Sequence, residues 1–281
     1  MVLKKQRAAV VSTKKKGGVG ASTMMIAMAT VLRATLDGVS QVRVVDADAY
    51  NGTLIQRIGE RDESGTLVAN QSADRGVIKA DLFDRDGVRP IFEAVESDAD
   101  IVLIDTPAGS LDKFERLSAN LNARDFVDHV IACERTPIVV VPFTPAGASI
   151  RAIKMALDRF GEGARFVAAR NMVGHTERDY RLWAAEPIVD RFGAQVGGRT
   201  RTAFEAAGGR VIEMPAADAG TLSVAEALKL SFAEAAGSNW PGTNWQQWDR
   251  LNMGKWLQAW VVELQKIDDW LGLEDANWRA F

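Results

Sequence analysis

Lys16-Gly17-Gly18-Val19-Gly20-Ala21-Ser22-Thr23 follows an apolar run, Ala8-Ala9-Val10-Val11, and precedes a helix-like one from Met24 to Leu36. A strand, a glycine-rich turn and a helix in that order are the context a phosphate-binding loop requires. The glycines let backbone N–H groups turn inward around phosphate oxygens, and the start of the helix adds its partial positive charge. Ser22 stands where the hydroxyl of such a loop ligates Mg²⁺. Ala21 stands where a lysine would reach the β- and γ-phosphates. The loop predicts nucleotide binding with one cation missing.

Outward from this loop, apolar runs alternate with helix-length segments to about residue 236. Strands are expected at Ala8–Ser12, Val42–Asp46, Ile101–Asp105, Ile138–Phe143, Phe166–Asn171 and Val211–Glu213. Several are unbroken apolar runs, as in strands covered on both faces of a parallel sheet. Helices are expected at Ser22–Leu36, Ser110–Asn122, Ala146–Phe160 and Thr221–Ala235. The polar, glycine-punctuated stretch from Gly59 to Gly87 reads as an irregular or mobile connection. The alternation predicts an α/β fold, a doubly wound and mainly parallel sheet with ligands at the carboxyl ends of its strands.

Two acidic elements belong to the same chemistry. Asp105 closes the run Ile101-Val102-Leu103-Ile104 and precedes Thr106-Pro107-Ala108-Gly109. An acid at the carboxyl end of a buried strand is placed to hold Mg²⁺ through water. Asp46 and Asp48 follow Val42-Arg43-Val44-Val45. Carboxylates two residues apart at a strand end point the same way, here toward the phosphate loop. Lys14 and Lys15 lie nearby, but an extended strand end gives no reason to expect either in the site.

The loop resembles the deviant Walker A pattern, KGGxGK[ST], of the ParA/MinD family of ATPases. Lys16 matches the signature lysine, and Gly17, Gly18, Gly20, Ser22 and Thr23 match the rest; Ala21 departs from it. The hydrophobic-Asp-Thr-Pro run ending in Asp105 is similar to the family's Walker B strand. The resemblance implies that Lys16 reaches a neighbour's phosphates across an ATP-dependent homodimer, and that Asp48 orients the hydrolytic water. It also implies that Asn171 reads adenine and that the loop Met214-Pro215-Ala216-Ala217-Asp218 flanks the base. After Asp48, Ala49-Tyr50-Asn51-Gly52 replaces the family's usual continuation.

The resemblance spans about residues 8 to 236. It implies a P-loop ATPase domain over 1–236; residues 237–281 lie outside it, and their tryptophan-rich composition predicts a helical extension. The implied function is an ATP/ADP- and Mg²⁺-binding switch for plasmid or DNA partitioning, transfer or cargo positioning, with a protein partner that stimulates or reads it. ATP hydrolysis is expected to be slow or absent because of Ala21. Leu228–Ala235 is reminiscent of ParA-like proteins carried by conjugative plasmids. The alternative is a catalytically degenerate nucleotide-binding scaffold acting in protein assembly.

Charge and composition narrow the setting. Lys and Arg number 34 against 37 Asp and Glu, so bulk charge does not mark a nucleic-acid protein. Residues 151–210 nevertheless carry eleven cations against seven anions, a stripe able to hold nonspecific DNA. One cysteine, Cys133, precludes an internal disulfide, and with two histidines a structural zinc site is not expected. A reducing cytoplasm is the expected compartment. No apolar run approaches the roughly 18 residues of a membrane-spanning helix.

Seven of the eight tryptophans lie beyond Gly237, after Ser238-Asn239-Trp240-Pro241-Gly242, which reads as a turn or linker. Met253, Trp256, Leu257, Trp260, Val261, Leu264, Ile267 and Leu271 recur at helical spacing and form one apolar stripe. Either its own domain or another subunit must cover it. A domain already complete by residue 236 favours a subunit or partner.

Overall fold

The computed structural model describes residues 6–36, 38, 41–115, 121–184, 188–237 and 244–281. The expected linker Ser238–Gly242 lies outside the described residues.

Strands β1 (Arg7–Ser12), β2 (Val42–Asp46), β3 (Ile78–Lys79), β4 (Ile101–Asp105), β5 (Arg135–Phe143), β6 (Arg165–Asn171) and β7 (Arg210–Met214) form one sheet. Their order is β3-β2-β4-β1-β5-β6-β7, and every neighbouring pair is parallel. Alternate residues of β1 feed two apolar cores: Ala8 and Val10 face one, Ala9 and Val11 the other. That is why its sequence shows no polar alternation. One face is covered by α1 (Ala21–Thr35). The other is covered by α3 (Arg89–Val95), α5 (Ala123–Ala132) and α6 (Gly147–Phe160), with Phe204 of α7 (Arg199–Ala206). The shorter α2 (Thr53–Ile58) and α4 (Ser110–Lys113) follow the carboxyl ends of β2 and β4.

Three expectations change on inspection. The helix expected over Ser110–Asn122 begins as the short α4, its residues 116–120 lie outside the described residues, and Asn122 caps the start of a new helix instead of ending one. Its side chain accepts from the N–H groups of Arg124 and Asp125, while Asp125 caps in return. The single helix expected over Thr221–Ala235 is two, α8 (Ala219–Ala227) and α9 (Phe232–Gly237). Lys229 breaks it by taking a left-handed conformation with φ 56°. The connection Gly59–Gly87 contains β3 and an isolated antiparallel bridge between Arg61 and Leu67.

The tail is covered by its own chain. Helix α10 (Gln247–Leu264) packs on α1, α9 and β7, and α11 (Asp268–Leu271) reaches β1 and β5. Trp256, Trp260 and Leu264 are buried in the same apolar cluster as Met24, Met25 and Met28 of α1. The expectation that a second subunit or partner covers the stripe is thereby corrected. The physical reason is that α1 and edge strand β7 would otherwise face water. Glu263 accepts the N–H of Glu213 at 2.7 Å, satisfying a backbone donor on that edge. Arg210 is bridged to Asp269 and lies 4.2 Å over the Trp270 ring.

Candidate functional site

The glycine loop leaves β1 at the centre of the sheet, between β4 and β5, and runs into α1. Gly20 takes φ 84°, and a Cβ there would lie 2.8 Å from Met214 Cε and 3.0 Å from Asn171 Nδ2. The left-handed conformation therefore favours glycine at this position, and any side chain would also have to displace the tips of Met214 and Asn171. Lys16, Gly17 and Gly18 are exposed along the loop, while Val19 is buried. Ala21 begins α1 as a buried methyl, with Ser22 and Thr23 half-buried behind it.

Asp105, buried at the end of β4, gathers the site. Its Oδ2 accepts from Ser22 Oγ at 2.6 Å, and its Oδ1 accepts from Ser12 Oγ at 2.6 Å. Lys14 Nζ also donates to Oδ1 at 3.2 Å, as a buried ion pair. This overturns the expectation that Lys14 stays out of the site. Lys15 does stay out, exposed, with Nζ 3.8 Å from Asp112. The reason lies in two-residue alternation: Ser12 and Lys14 project to the same side of an extended segment, toward Asp105 on the neighbouring strand.

Asp46 lies opposite Asp105 in the β2–β4 register. Its carboxylate does not open toward the loop, as expected, but accepts the N–H groups of Asp48, Leu54 and Ile55 at 3.2, 2.9 and 3.3 Å. It thus serves the start of α2. Burial above all pushes its carboxyl up to about 6, with the charge of Asp105 adding to the rise and the three N–H bonds opposing it. Asp48 lies beyond the strand, where alternation no longer governs direction. Its oxygens accept from the backbone N–H and side-chain amide of Asn51, at 3.2 and 2.8 Å.

Asn171 ends β6 and braces the loop, its Nδ2 donating to the Val19 carbonyl at 3.0 Å. Its own Oδ1 accepts from Val173 N–H at 2.9 Å, and its backbone carbonyl accepts from the Tyr180 hydroxyl. Burial holds that hydroxyl protonated, pushed up to about 12. Pro215 follows β7, and its carbonyl accepts from Trp256 Nε1 at 2.9 Å. Ser12, Lys14 and Trp256 are the members sequence reasoning missed. The alternation Ser12-Thr13-Lys14 was a usable signal for the first two.

The protein's donor set around Ser22 is one carboxylate and one hydroxyl. Among the described residues no cluster of three or more His, Cys, Asp or Glu could hold a metal ion. Mg²⁺ prefers near-octahedral oxygen ligation and keeps several waters. These residues therefore fit an ion that arrives with nucleotide phosphates, ligated by Ser22 and held through water by Asp105.

The seven-stranded parallel sheet with flanking helices and a glycine loop between β1 and α1 matches, as a fold, the P-loop α/β architecture of ParA/MinD-like structures. The chain is similar in structure to MinD, the septum site-determining protein of Pyrococcus horikoshii complexed with Mg-ADP. Identity is 13%, with 93% of this chain and 98% of that one covered, at a TM-score of 0.50. An ATP complex of a McdA variant from Cyanothece matches at 11% identity over 96% of this chain and 98% of that one, with a TM-score of 0.47. No protein-family model and no curated protein sequence matches the chain.

Proposed function

We propose that this chain is a ParA-like ATP-binding switch that dimerises with nucleotide and positions DNA, a plasmid or another cargo. The observation that carries this reading is the 2.6 Å bond between Ser22 of the glycine loop and Asp105 of β4. It sets the loop hydroxyl and the strand-end acid in the relation Mg-nucleotide sites use. When bound, Mg²⁺ would neutralise charge on the β- and γ-phosphates. The loop N–H groups and the start of α1 bind the phosphates, Lys16 reaches the neighbour's nucleotide, and Asp48 orients water. Asn171 and Pro215 flank the base, which requires the Asn171 amide to exchange its Val19 partner for adenine.

Calorimetry with ATP, ADP and GTP, followed by light scattering with and without ATP, tests the reading. Micromolar ATP binding with a shift to dimer is expected. Absence of binding to every nucleotide would remove it.

A catalytically degenerate scaffold is the second reading, favoured by Ala21. Losing a charge-assisted contact to the terminal phosphates costs about 1.5–3 kcal/mol. Among the described residues no helix is long and apolar enough to cross a membrane.

A further inference from the structure

We infer that Lys14 is the phosphate-facing cation of this loop, supplying the charge that Ala21 does not. The inference rests on the nucleotide-binding reading above. Its backbone is clamped on both sides: the Lys14 N–H donates to Ser110 Oγ at 3.1 Å, and the Lys14 carbonyl accepts from Gly109 N–H at 3.1 Å. So fixed, the side chain runs inward and ends on Asp105 Oδ1, 3.2 Å away, while Ser22 occupies the other carboxylate oxygen. One carboxylate group therefore separates the ammonium from the first turn of α1, where phosphate binds.

The neighbouring lysines of the loop do not share this position. Lys14 is 6% exposed, whereas Lys15 and Lys16 face water. A buried ammonium needs an anionic partner, and here the partner is Asp105. An ammonium has three N–H donors, and Asp105 takes one. The remaining donors suit the oxygens of a di- or triphosphate entering the loop. The ammonium is a compact charge with a rotatable head, so it reaches such oxygens without leaving Asp105. The ligand class is a nucleoside polyphosphate, and recognition depends on how many phosphates it carries.

Titration calorimetry of the full chain with ATP, ADP and AMP, in Mg²⁺ and in EDTA, tests this. Lys14→Met should weaken ATP binding about ten- to a hundredfold in both buffers, weaken ADP less and leave AMP unchanged. The double variant Lys14→Met/Ala21→Lys should recover ATP affinity. Unchanged ATP affinity in Lys14→Met would overturn the role, and so would an equal loss for AMP, the result of mere structural damage. Should Lys14→Met fail to fold with Asp105 left unpaired, Asp105→Asn is compared with Lys14→Met/Asp105→Asn, and the same graded loss, largest for ATP and absent for AMP, is expected. If the unaltered chain binds no nucleotide, the functional reading falls and this role with it.

Discussion

Trp256 donates its indole N–H to the carbonyl of Pro215 at 2.9 Å, so the C-terminal helix holds the loop that follows β7. Met214, one residue earlier, lies within reach of Gly20 in the phosphate loop. The tail is thus structurally continuous with the packing around the glycine loop.

Removing that packing should cost stability. Trp256→Ala and Trp260→Ala each delete a large buried side chain, an expected loss of about 3–5 kcal/mol. Trp256→Phe keeps most of the packing and loses one hydrogen bond, about 1 kcal/mol. Urea denaturation measures both, and light scattering should find the oligomeric state unchanged. Deleting residues 238–281 should leave an insoluble remainder. A soluble, cooperatively folding truncation would show that the stripe is dispensable to the fold.

Restoring lysine at position 21 adds a cation aimed at the terminal phosphates, where charge builds up in the transition state. Ala21→Lys should raise Mg²⁺-dependent ATP turnover at least several-fold in a phosphate-release assay. A rate that stays at zero would place the defect elsewhere, with the turn Ala49–Gly52 after Asp48 the first suspect.

The sheet was legible because its inner strands are apolar runs, continuous in β4 up to Asp105 and interrupted only by Arg43 in β2, and both carry the bounds their sequences announce. What escaped was tertiary. Two residues of β3 are too short to carry a pattern, and Lys229 in a left-handed turn follows from no local signal. The tryptophan stripe announced a buried helix but not its cover, because periodicity reports that a face is apolar and never what lies against it. Within the site, the glycines, Ser22 and Asp105 could be placed from their motifs. Lys14 was signalled only by its alternation with Ser12, because the group it meets, Asp105, lies 91 residues further along the chain.

Asp46 sets a pH dependence whose sign can be stated. Its carboxyl titrates near 6 in the fold against 3.8 ordinarily. The native state therefore holds a proton that the unfolded chain has already lost, and the stability contributed falls as pH rises from about 4 to about 6. Above that window the deficit is constant, roughly 2–3 kcal/mol. Asp46→Asn cannot ionise, so its stability relative to the unaltered chain should rise across the same window. Urea midpoints at pH 4.5, 5.5 and 7 measure this, and parallel curves for the two proteins would refute it.

DNA binding, if it occurs, should use a narrower surface than the eleven cations of residues 151–210 suggest. Lys154, Arg159, Arg170, Arg201 and Arg210 are already engaged in ion pairs with carboxylates. Arg178, Arg181 and Arg191, on the segment joining β6 to α7, and Arg199, the first residue of α7, are exposed and, among the described residues, have no ion pair. Phosphate contacts release counterions, so each one adds about 0.9 to the slope of log affinity against log salt. Replacing these four arginines with glutamate should abolish anisotropy changes with nonspecific duplex in the presence of ATP. Single Arg→Ala changes among the four should each lower the salt slope by about one unit. Arg159→Ala and Arg201→Ala serve as paired controls and should bind as the unaltered chain does. Equal weakening by the controls would displace the surface, and absence of binding at low salt in every nucleotide state would remove DNA as the cargo.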